Sequence, residues 1–78
     1  MAMRRFRRQE FWRELEIRGC HRVSEEADLG SFWLAPDGRH FQVPPPDADD
    51  CYPDFMLDDL IRQHGLPRTP RRRGRRSR

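Results

Sequence analysis

Residues 30–46, "GSFWLAPDGRHFQVPPP", decide the fold. Two short apolar runs, residues 31–35 and 40–44, flank a Pro36-Asp37-Gly38 turn, and three prolines follow the second. Proline pre-sets the entry torsion of such a turn, and glycine accepts the left-handed conformation at its exit. The segment therefore reads as a β-hairpin. Side chains alternate across a strand, which groups Trp33, Phe41 and Val43 on one face and Phe32, Leu34, His40 and Gln42 on the other. The opposite assignment, with Phe32 in the core and Trp33 outside, satisfies the same periodicity, so one bulky aromatic faces outward in either case. Pro44, Pro45 and Pro46 cannot donate ladder hydrogen bonds, so the strand ends there, at an edge.

Working outward, "CHRVSE" upstream is a short third strand, and before it "RRQEFWRELEIRG" is a helix. Phe11, Trp12 and Leu15 form its apolar stripe, Glu14 and Arg18 a favourable pair four residues apart, and Gly19 the stop. Downstream, "DADDCY" reads as a polar connection. "PDFMLDDLIRQHGLP" is a second helix, with Pro53 in its first turn, Asp54 at the positive end of the dipole, and Gly65 with Pro67 closing it. The order predicts an α+β fold: a two-layer α-β-β-β-α unit, with two helices on one face of an antiparallel three-stranded sheet. The expected core is Phe11, Leu15, Cys20, Val23, Trp33, Phe41, Val43, Met56, Leu57, Leu60 and Ile61. The other sheet face, with Phe32, Leu34 and His40, is left open as a surface for a partner.

At 78 residues the chain makes one small domain, burying only about 60% of its unfolded surface. No apolar run approaches the roughly 20 residues of a membrane span. The charged "QEFWRELEIR" occupies the place of a signal-peptide apolar region, which points to a cytoplasmic protein. Cys20 and Cys51 are expected as reduced thiols rather than a disulfide. A zinc site from Cys20, His21, His40, Cys51 and His64 lacks closely spaced ligand pairs, so no metal or cofactor is implied. An EF-hand-type calcium loop starting at Asp47 fails at its fifth, sixth and twelfth positions, which are Cys51, Tyr52 and Asp58.

Charge divides the chain into three parts. Arg4, Arg5, Arg7 and Arg8 make residues 1–8 a basic N-terminal arm. Residues 68–78 form an arginine-rich tail, expected to be disordered, that carries Arg68, Arg71, Arg72, Arg73, Arg75, Arg76 and Arg78. Within residues 9–67, five arginines oppose all thirteen acids, a balance of −8. Arginine-rich segments neutralise phosphates, so Arg4, Arg5, Arg7, Arg8, Arg71, Arg72, Arg73, Arg75 and Arg76 are candidate contacts to RNA or another nucleic acid, with affinity that falls steeply with salt. The acidic middle favours a basic protein partner instead.

"FWRELEIRG", the "PDGR" hairpin, "FQVP" and the closing "LIRQHGL", in this order, resemble the HicA family of small bacterial toxins across residues 11–66. The resemblance implies a double-stranded-RNA-binding-like fold, ribonuclease activity in a toxin–antitoxin system, and an antitoxin-like protein partner. Family members carry a catalytic histidine after a Gly-Ser/Asn pair. This chain keeps Gly30 and Ser31 but has Phe32 at the histidine position. The family's second common histidine, after the Val-Pro of the third strand, is replaced by Pro46. Both departures fall on the chemistry.

RNA cleavage needs a base for the 2′-hydroxyl and an acid for the leaving oxygen. His40, at the start of the third strand and across the hairpin from Leu34, is the candidate for a relocated catalyst, and His21 is a second. His64, in the last turn of the second helix, suits a capping role. Phe32 and Leu34 are candidates for base stacking or for a protein contact. Two readings follow: an RNA-binding protein of HicA-like fold without the family's usual ribonuclease activity, or a protein-interaction module. A ribonuclease with a relocated histidine is a variant of the first.

Overall fold

The computed structural model describes residues 5–68. The chain runs β1 (Arg5–Arg7), α1 (Arg8–Glu16), β2 (His21–Glu26), β3 (Gly30–Leu34), β4 (His40–Val43), β5 (Cys51–Pro53) and α2 (Asp54–His64). The sheet of β2, β3 and β4 is antiparallel in sequence order, as the hairpin reading requires. Trp33 pairs with Phe41 and Ser31 with Val43 on the inner face, and Trp33 and Val43 are essentially inaccessible to solvent. Phe32 is half-buried on the outer face, so the ambiguity in strand facing resolves in favour of Trp33 inside.

Both helices pack on this inner face. From α1, Phe11 and Leu15 are fully buried, and Trp12 meets Trp33 with ring centroids 6.4 Å apart. From α2, Leu57, Leu60 and Ile61 join the same cluster. Glu10 accepts the Arg7 N–H at 3.0 Å and so satisfies one of the free donors at the start of α1. Gly65 ends α2 in the left-handed region, at φ 62°, and the Ile61 carbonyl receives the N–H of both Gly65 and Leu66. Gly30 sits at φ +94°, and a Cβ there would collide with the Val43 carbonyl, so β3 begins at a position only glycine fits.

Three expectations need correction. First, residues 51–53 are not a featureless polar connection: β5 pairs antiparallel with β1, with Phe6 opposite Tyr52. Both side chains enter the core, where Tyr52 stacks on Phe11 at 4.6 Å. The basic segment expected as an arm is therefore part of the fold from Arg5 onward, because one apolar residue among its arginines has a buried partner 46 residues away. Second, Val23 is not core: a bulge between Arg22 and Ser24 takes it out of register, and it is 60% exposed. Ala35 and Leu66 are buried as well, whereas Phe41 and Met56 are only partly so. Third, Arg68 is tied to the fold: its carbonyl accepts from Arg18 at 2.8 Å and its guanidinium meets Asp58 at 3.1 Å. The disorder expected further along, and the candidate contacts Arg4, Arg71, Arg72, Arg73, Arg75 and Arg76, lie outside the described residues.

Candidate nucleic-acid interface

The outer face of the sheet follows from strand register. His21 of β2 and His40 of β4 each lie opposite Leu34 of β3, which makes one cross-strand row, His21–Leu34–His40. The adjacent row is Ser24–Phe32–Gln42, and the last ends with Glu26 opposite Gly30. Neighbouring strands are about 4.8 Å apart, so the two histidine backbones stand roughly 10 Å apart with Leu34 between them. Phe32 and Leu34, two residues apart on one strand, are separated by about 7 Å. His21, His40, Ser24 and Gln42 are exposed. His40 therefore lies where the hairpin reading put it, across from Leu34. Register, which local sequence does not give, adds His21 to the same row.

Charge is segregated away from this face. The nine arginines and thirteen acids among residues 5–68 give a balance of −4. Glu10, Glu14 and Glu16 ride on α1, and Asp54, Asp58 and Asp59 on α2; Asp47, Asp49 and Asp50 cluster before β5. Asp28 and Asp37 occupy turns, and Glu25 shares the inner side with Ser31. Only Glu26 is placed by register on the open face. The acids of α1 and α2 therefore lie on the layer opposite to this face.

Among the described N-terminal arginines, Arg5 and Arg8 are engaged. Arg5 bonds to Asp47 and lies 3.7 Å from Asp49. Arg8 lies 3.5 Å from Asp50 and 3.7 Å from Glu25, with its guanidinium over the Trp12 ring. Among the described residues, Arg7, Arg13 and Arg39 make no ion pair, and Arg39 adjoins His40.

The remaining candidates have structural duties. Ser31, buried, accepts the Trp33 Nε1–H at 2.8 Å, so the Gly30-Ser31 pair serves the strand crossing and the core. The His64 side chain is nearly inaccessible, with Nδ1 3.3 Å from Asp37 and its ring 4.8 Å from Phe41, and so fastens α2 to the hairpin turn. The Asp37 carboxyl is held below its usual range, first by the Arg39 backbone N–H and then by His64. Burial, with the Asp37 charge adding to it, pushes the Cys20 thiol up to about 11, so Cys20 is not a thiolate near neutrality. Asp47 accepts the N–H groups of Cys51 and Asp49 as well as Arg5, and the Cys51 bond is the main cause of its lowered pKa. Its oxygens order the turn before β5. No group of three or more metal-ligating side chains occurs among the described residues, and no helix there is long and apolar enough to cross a membrane.

No family model, curated protein or solved structure matches the chain. The resemblance to HicA toxins thus rests on the quoted residues alone.

Proposed function

We propose that this protein binds single-stranded RNA on the open face of its sheet, with the arginine-rich ends adding phosphate contacts, in the manner of a HicA-like protein that lacks the family's usual catalytic histidine. The observation that carries this reading is the pair of rows His21–Leu34–His40 and Ser24–Phe32–Gln42, which sets a half-buried aromatic among hydrogen-bonding side chains on a face where register places one acid, Glu26. Base stacking on an aromatic side chain contributes about 1–3 kcal/mol per base. Each arginine–phosphate contact steepens the salt dependence by about 0.7 on a logarithmic scale.

The test is a salt titration of RNA binding by the full chain. Phe32→Ala should weaken binding about tenfold or more with little change in salt slope, in line with the stacking range. Replacing Arg71, Arg72, Arg73, Arg75 and Arg76 by glutamine should flatten the slope. Binding indifferent to Phe32 would remove the sheet from the interface and leave the ends alone.

The same row supports a second reading, ribonuclease activity. A phosphodiester lying over Leu34, with a base on Phe32, has an imidazole on either side. One histidine takes the 2′-hydroxyl proton as that oxygen attacks phosphorus. The other, protonated, donates to the 5′-oxygen as its bond to phosphorus breaks, leaving a 2′,3′-cyclic phosphate. Cleavage that is lost in both His21→Ala and His40→Ala, with a bell-shaped pH dependence, establishes this reading. RNA that stays intact through the titration rejects it and leaves the binding function.

A further inference from the structure

We propose that β2 pairs edge to edge with β2 of a second copy of this chain, antiparallel and two-fold symmetric, joining two three-stranded sheets into one of six strands. β2 is the outer strand of its sheet, all six of its residues are exposed, and its free edge pairs with no other described strand. A groove lined by Glu16, Cys20, His21 and Arg22 opens beside its start, between the end of α1 and β2.

The sequence of this edge says what pairs with it. Edge strands are commonly guarded by like charges or by a bulge that twists them away, and β2 has both charge and a bulge. Its charges, however, are ordered: His21 and Arg22 make a basic half, Val23 and Ser24 an uncharged middle, and Glu25 and Glu26 an acidic half. A two-fold axis between Val23 and Ser24 inverts that order. His21 then faces Glu26 of the second copy, both on the open side by their register with Leu34 and Gly30. Arg22 faces Glu25 of the second copy, both on the helical side by their register with Trp33 and Ser31, so the 3.9 Å pair they make within one chain is exchanged for two pairs across the axis. Complementary side chains meet on both faces, and the exposed Val23, displaced by the bulge, comes to the axis. A slip of two residues either way loses both kinds of pair, so the charges also fix the register.

Six residues of strand contact bury less than the roughly 1,200 Å² of a standard interface, so the dimer is weak and concentration-dependent. It places two copies of the Phe32–Leu34 platform on one continuous face. The inference does not depend on that platform's binding RNA.

Sedimentation equilibrium of the full chain over a wide concentration series tests it. The wild type should show a monomer–dimer equilibrium. Val23→Lys, at a site already exposed and therefore harmless to the fold, should weaken it at least tenfold. Arg22→Glu and Glu25→Arg should each abolish self-association, because each places like charges across the axis, whereas their equimolar mixture should form a heterodimer at wild-type strength. That rescue separates a lost interface from a lost fold. A wild type monomeric at every concentration, a dimer unaffected by Val23→Lys, or a mixture no more associated than its components would each overturn the proposal.

Discussion

Removing the Arg18 side chain should cost this domain a large part of its stability. Arg18 closes α1 and is only 7% exposed. Its guanidinium donates to the carbonyls of Glu14 (2.9 Å), Pro67 (2.9 Å) and Arg68 (2.8 Å), and to the Glu14 carboxylate at 2.7 Å. One side chain thus satisfies an end carbonyl of α1 and anchors the segment leaving α2. In Arg18→Ala three carbonyls lose a charged donor, each worth about 1 kcal/mol or more, and Glu14 loses its ion-pair partner. Breaking a buried pair costs about 3–5 kcal/mol, but Glu14 is 28% exposed and regains some hydration, so the expected loss is about 3 kcal/mol. A domain of this size has roughly 4–12 kcal/mol in all. Arg18→Lys, with a compact ammonium in place of the planar fork, cannot reach all four acceptors and should lose about half as much. Urea unfolding followed by tryptophan fluorescence should show a lower midpoint at unchanged slope. An Arg18→Ala loss below about 1 kcal/mol, or a lysine variant equal to wild type, would refute the reasoning, since a loss that small is within the range of an exposed pair.

Gly30→Ala should destabilise the fold by about 2 kcal/mol or more, because it combines a positive φ with a collision against the Val43 backbone; thermal unfolding by circular dichroism reads this directly. Trp33→Ala should cost about 3–5 kcal/mol while Phe32→Ala costs far less, and equal losses would mean that the strand faces are misassigned. Asp37 and Asp47 have folded-state pKa values below their unfolded values, so their contribution is present above the ordinary carboxylate pKa near 3.9 and is lost as pH falls through the lowered folded values. Asp47→Asn should therefore flatten the acid limb of the stability–pH curve, and an unchanged limb would count against its lowered pKa.

The hairpin was legible because every signal for it is local: alternation, the Pro-Asp-Gly turn and the proline stop lie within residues 30–46. The second helix was legible for the same reason, its apolar stripe ending at Gly65. The β1–β5 ribbon was not. Each strand is three residues long, too short for a period to register, and Phe6 stands among arginines that dominate any reading by composition. A hint existed in both segments, a single large aromatic between residues with exposed or partly exposed side chains, but only the pairing gives it meaning. Val23 was misplaced because a bulge breaks the alternation that locates side chains. Within the candidate site, Phe32, Leu34 and His40 share a face that alternation alone suggested. That His21 stands in the same row depends on the β2–β3 register, which no short stretch encodes.

The pairing of Phe6 with Tyr52 also sets an order of events during synthesis. The hairpin can form as soon as residue 43 has emerged, since its contacts are local and such closures are fast. Phe6 and Phe11 are made first but must wait for Tyr52, whose ring covers Phe11 and whose strand holds β1. Until then Phe6 and Phe11 present uncovered aromatic surface beside Arg5, Arg7 and Arg8. The ribbon is therefore a late closure of a long loop, and its slow step is where a nascent chain is most open to aggregation or to capture by a chaperone.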